Sequence, residues 1–178
     1  ELMFILDVGV VVGIHTPYGQ IDKRRMATVR ELSFGMQLTF HRAFDLISGY
    51  EQAINDIIAL GCDRLLTSGQ EKSAPLAAST KLRHIVELCG NKIHVLAGAG
   101  ISADNVRPLI INSRTPGVHI GSAVNRNVLS DIVMNSSMET PLFTMAAEMK
   151  VWKCSHVDLI KDIVDRSKAA WREIDMYF

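Results

Sequence analysis

Residues 38–45 read LTFHRAFD. Leu38 and Phe40 are apolar and alternate with Thr39 and His41, the period-two pattern of a strand. Arg42 and Asp45 follow among Ala43 and Phe44, with no Gly or Pro between them. A strand that ends in three ionisable groups marks a reaction site, a metal or anion site, or a structural knot of charges. Where the strand tip lies in the fold bears on that choice.

Four more apolar runs share this form: VGVVVG (8–13), DRLLTSG (63–69), KIHVLAGAG (92–100) and GVHIGS (117–122). Each is rich in aliphatic residues and closes on a polar or glycine-rich tip, as strands of parallel sheets do when both faces are covered. Helical spacing lies between them. It predicts helices over Asp22–Ser33, Tyr50–Leu60 and Leu76–Cys89. Ser102 reads as the N-cap of a fourth helix, with Asp104 in its first turn and Pro108 expected to kink or shorten it. A last helix over Val157–Ile174 sets Val157, Ile160, Val164 and Trp171 on one face. Residues 124–156, with Met134, Met138, Met145 and Met149, carry few strand signals and are expected to form a long connection or an added helix.

Strand, helix, strand, helix in units of this size predicts a parallel α/β protein built from βαβ crossovers. Two architectures fit: an open doubly wound sheet or a (β/α)8 barrel. No linker divides the chain, so residues 1–178 are expected to form a single domain.

Composition narrows the function. Hydrophobic residues make up 48%, enough for a sizeable core. Lys and Arg number 19 against 19 Asp and Glu, and this balance argues against nucleic acid as the main partner. The longest apolar stretch, Leu2 to Ile14, is broken by Asp7 and falls short of the roughly 20 residues of a membrane span. No secretory pattern is present. Three cysteines, Cys62, Cys89 and Cys154, with no CxxC, fit a reducing cytosol.

In either architecture ligands bind at the carboxyl ends of the strands. Five polar tips gather there: His15 and Thr16, His41 and Arg42, Thr67 and Ser68, Gly98 and Gly100, Gly121 and Ser122. The 98–102 segment, Gly-Ala-Gly-Ile-Ser, permits close backbone approach and offers a helix N-terminus to an anion, with Gly121 and Ser122 beside it. The plainer reading is a tight turn. His41 and Arg42 suit a carboxylate or phosphate, and His41 also suits a proton carrier or a metal ligand. The competing reading is a buried network in which Arg42 pairs with Asp45. Cys154 and His156 are the nearest thing to a soft-metal pair, while Cys62 and Cys89 read as core residues and the Met pairs as packing.

Taken together, LTFHRAFD, LTSG (66–69), VLAGAGI (95–101), GSA (121–123) and GQID (19–22) resemble the CutC copper homeostasis family over about residues 8–123. The resemblance implies a (β/α)8 TIM-barrel type fold that is incomplete here, about five βα units. The run 8–13 then stands as the fourth strand of the whole barrel. Open edges in such a part imply a homo-oligomer. The resemblance also implies copper handling in the cytoplasm, with copper as cofactor or cargo and its ligands unassigned. The matched polar residues, Thr39, His41, Arg42, Thr67 and Ser68, make a pocket that looks more like an enzyme or anion site. Two positions depart from the family pattern. Ala99 stands in AGAG where GGG is frequent. His119 lies one residue further from GSA than the family's histidine, which sets it outside the expected pocket.

Overall fold

A computed structural model describes residues 9–78, 80–128 and 152–176, with backbone alone for 122, 125–128 and 152–154. Five strands, β1 (Gly9–Val12), β2 (Gln37–Phe40), β3 (Arg64–Thr67), β4 (His94–Gly98) and β5 (Gly117–His119), form one parallel sheet in the order β1-β2-β3-β4-β5. Spatial order equal to chain order decides between the two architectures. A doubly wound sheet needs a point where the order reverses. Here every crossover steps the same way, so crossovers of one hand lay all the helices on one face. That is the winding of a (β/α)8 barrel wall, five units of it.

The two faces differ accordingly. Leu38, Phe40, Leu65, Val95 and Ala97 are buried at 0–1% exposure on the face covered by helices. The other face carries Val11, Leu66, Leu96, Gly98, Gly117 and His119, and there Val11 is 62% exposed. Thr39 also lies on this second face and is buried.

Helices α1 (Lys23–Leu32) and α2 (Tyr50–Ala59) match their spacing. Asp22 caps α1 by accepting from the Arg25 amide at 3.0 Å. Met26, Ile54 and Ile57 are completely or almost completely buried against the sheet, each worth about 1.5–3 kcal/mol of burial.

Four expectations need correction. The helix read over Leu76–Cys89 is two pieces, α3 (Ala74–Ala77) and α4 (Lys81–Cys89). The Thr80 amide turns back to the Ala77 carbonyl at 3.1 Å, and small side chains let α3 press onto Gly69, where a Cβ would come 2.6 Å from that of Ala77. The next helix, α5 (Val106–Ser113), is capped by position Asn105, not Ser102. Asn105 Oδ1 takes the Ser102 amide at 2.9 Å, closing a turn ahead of the helix. Pro108 thus falls in the first turn, where its missing N–H is not needed. In α6 (Val157–Asp175) the buried stripe runs through Ile163 and Ala170, while Val157 is 76% and Ile160 and Val164 are each 41% exposed. The apolar face read from the sequence is therefore rotated from the face that packs, with Trp171 common to both. Lastly, β6 (Asn125–Val128) and β7 (Trp152–Ser155) pair antiparallel in a region expected to lack strands. Residues 1–8 and the four methionines Met134, Met138, Met145 and Met149 lie outside the described residues. Among the described residues no helix is long and apolar enough to cross a membrane.

Candidate functional site

Beyond Phe40 the chain turns into a 3-10 helix, Arg42–Leu46, with His41 as its N-cap in extended backbone. The Ala43 amide donates to His41 Nδ1 at 3.1 Å. An amide can only donate there, so the proton of a neutral His41 sits on Nε2. The ring lies over Gly13 at the end of β1, where a Cβ would come 2.7 Å from Nδ1. Side chains three apart eclipse on a 3-10 helix. That geometry brings Arg42 Nε onto Asp45 Oδ2 at 2.8 Å.

Asp45 is the centre of this network. Its side chain is 7% exposed. Oδ1 accepts from the Thr67 hydroxyl, from the Ser68 amide at 3.1 Å and from the Gln70 amide at 3.3 Å. Oδ2 accepts from the Ser68 hydroxyl at 2.9 Å as well as from Arg42. Arg42 Nη2 also donates to Ser68 Oγ at 3.3 Å. The knot of charges expected as one reading of LTFHRAFD is present, and it takes up the hydroxyls of Thr67 and Ser68. Arg42 itself stays 46% exposed, and its Nη1 makes no bond to a described residue.

Arg42 lines a cleft of about 400 Å³ at the carboxyl end of the sheet, together with Leu66, the 99–102 loop, His119, Gly121 and Ala123. Of the residues singled out from sequence, the cleft lining includes Arg42, Gly100 and Gly121. Thr39, His41, Thr67, Ser68 and Gly98 are not among its lining residues, and the side chain of Ser122 lies outside what is described. His119 is the residue that sequence reasoning left out. It pairs with Gly98 in the β4–β5 register and so shares the cleft-facing side. The signal was the parity of β5 itself: Gly117 sits opposite Leu96, and two residues on comes His119. Two other hollows exist, of about 250 Å³ beside Gln20 and Gln52 and of about 510 Å³ at the opposite, amino end of the strands. Barrel chemistry sits at the carboxyl end, so the cleft beside Arg42 is the candidate.

The glycine segment is strained at one point. Ala99 has φ 78° and Gly100 φ 70°, and a Cβ on Gly100 would strike Ser73 Cβ at 2.6 Å. Glycine is thus required at 100, whereas Ala99 holds a left-handed conformation that costs an L-residue roughly 1–2 kcal/mol. We expect Ala99→Gly to stabilise the protein by about 0.5–1 kcal/mol once the extra unfolded-state entropy of glycine is subtracted. A thermal melt checks this, and a lower melting temperature would show that the Ala99 methyl packs usefully.

Two cysteines are set among core side chains. Cys62 is 4% exposed and burial pushes its thiol up to about 11, with Asp63 adding and Arg30 opposing. Cys89 is fully buried and its thiol is pushed up to about 12 by burial. Both behave as the core residues expected of them. Among the described residues, no three of His, Cys, Asp and Glu gather as a metal would need. The Cys154 side chain lies outside what is described.

Known proteins fit this geometry. A family model described as CutC family matches residues 6–124. A CutC protein of Vibrio parahaemolyticus is 42% identical over 120 residues, 66% of this chain and 48% of that protein. One from Glaesserella parasuis is 36% identical over 131 residues, 74% of this chain and 54% of that protein. The chain thus spans about half the length of the curated relatives it matches. Among solved structures, a CutC from Streptococcus agalactiae, provisionally described as a copper homeostasis protein, superposes with TM-score 0.58 at 28% identity, over 61% of this chain and 53% of that one.

Proposed function

This chain belongs to the CutC family, and from that premise we propose that its strand-end cleft binds a small metabolite bearing a phosphate or carboxylate, in the manner of a (β/α)-barrel enzyme. The observation that carries the reading is Arg42. Its guanidinium is oriented by a buried carboxylate, yet it keeps an outer nitrogen for a ligand, in a cleft whose described lining carries no acid. A planar guanidinium held by one edge is suited to present the other to an oxyanion. His41 lies outside the cleft lining, and with Nδ1 engaged by the Ala43 amide it would reach such a ligand only as a donor through Nε2–H. That favours polarising an oxygen over removing a proton. The test is calorimetric titration with inorganic phosphate and with acetate. Saturable binding of either anion is expected, and absence of binding by both contradicts the reading.

The second reading is copper homeostasis in the cytoplasm, with copper ion as cargo. It is supported by the description carried by the Streptococcus agalactiae relative. In its simplest form cysteine thiolates would hold Cu(I), the softest ligands available. The raised thiols of Cys62 and Cys89 speak against that form. We expect a Cys62→Ala, Cys89→Ala, Cys154→Ala variant that still melts cooperatively to keep the Cu(I) affinity of the parent chain. A marked loss of affinity in a competition assay would restore the thiolate form.

A further inference from the structure

We propose that His119 is the second polar anchor of the cleft, and that the ligand is a short molecule with two oxyanion or acceptor ends, one on Arg42 and the other on His119. The inference rests on the anion reading of this cleft and goes beyond it by fixing the ligand's shape.

Arg42 and His119 are the ionisable side chains of the described cleft lining. They enter from different strands, Arg42 just beyond β2 and His119 at the end of β5. Three strand spacings separate β2 from β5 in the sheet, about 14 Å between backbones. Both side chains line the same cleft of about 400 Å³, a space that suits a small ligand.

The floor between them is apolar. Leu66 lies on it, and Gly98, the strand partner of His119, carries no side chain where one would meet Leu66 Cδ1 at 2.7 Å and His119 Cβ at 3.7 Å. Gly98 therefore serves the cleft by what it lacks. His119 is exposed and its ring makes no hydrogen bond to a described residue, which leaves both ring nitrogens for a ligand. His41 differs on each count: its Nδ1 is tied to the Ala43 amide, and it lies outside the cleft lining.

Acetate and succinate distinguish the one-ended from the two-ended site. With the parent chain, succinate is expected to bind about tenfold more tightly than acetate, the worth of one more charge-assisted hydrogen bond. His119→Phe, which keeps a ring but loses both nitrogens, should remove that advantage, so that succinate and acetate bind about equally. His119→Gln, which retains a donor, should restore part of it. Equal affinity for succinate and acetate in the parent chain overturns the two-ended ligand while leaving the anion site intact. Undiminished succinate preference in His119→Phe overturns the role of His119. Binding of neither acid, nor of phosphate, contradicts the anion reading itself and this inference with it.

Discussion

Replacing Asp45 by alanine is expected to lower the stability of the fold by about 3 kcal/mol, the largest effect of any single change at this site. The reason lies in how many donors converge on one buried carboxylate. The amides of Ser68 and Gln70 and the hydroxyl of Thr67 all point at it, and Thr67 and Ser68 are fully buried. Removing the acceptor strands these donors, and each buried unsatisfied group costs about 1–3 kcal/mol. The Arg42 side of the pair adds little, because a half-exposed guanidinium regains water. For a chain of this size the loss corresponds to a drop of roughly 10 °C in melting temperature. Asp45→Asn keeps an acceptor and should lose less. A change below about 1 kcal/mol for Asp45→Ala would mean that the β3–α3 loop finds other partners, and that Asp45 does not organise the site.

Arg42→Ala tests function where Asp45→Ala tests architecture. It should weaken binding of phosphate or acetate by about 10–100-fold, the range for a lost charge-assisted hydrogen bond. It should leave the melting temperature almost unchanged, since the side chain is 46% exposed and buries little. Arg42→Lys is expected to recover only part of the affinity. One ammonium at the end of a flexible stem lacks the planar fork that meets Asp45 on one edge and a ligand on the other. Retained affinity in Arg42→Ala, or a large loss of stability with it, would place the guanidinium in a structural role alone.

The contrast between the two variants reflects what the residues themselves disclose. The alternation of Leu38 and Phe40 with Thr39 shows a strand, and the repeated apolar runs show a parallel α/β chain. Periodicity describes one segment at a time, however, and says nothing of which strand lies beside which. Barrel winding became visible only in the order β1-β2-β3-β4-β5. The pairing of Arg42 with Asp45 was legible as an alternative because the residues stand three apart. That Thr67 and Ser68 also turn toward Asp45 was not, since it depends on a loop 22 to 25 residues away in the chain.

Errors in detail have similar causes. Ser102 carries the side chain of a good cap, but residues 103–105 form a turn and the regular helix begins only at Val106, behind Asn105. His119 was set aside by comparing its distance from GSA with a family pattern. Its facing side is decided by its strand partner, Gly98. The strand Asn125–Val128 carries two asparagines and an arginine, residues that form strands only when a partner supplies the pairing.

The central claim is that the cleft holding Arg42 is the binding site and that its ligand is a small anion. A crystal structure of the protein grown with both succinate and Cu(I) tests this most directly. The account predicts a carboxylate of succinate within hydrogen-bonding distance of Arg42 Nη1, the other end of the molecule reaching toward His119, and no copper on Cys62 or Cys89. An empty cleft, with copper bound to those cysteines, would contradict it.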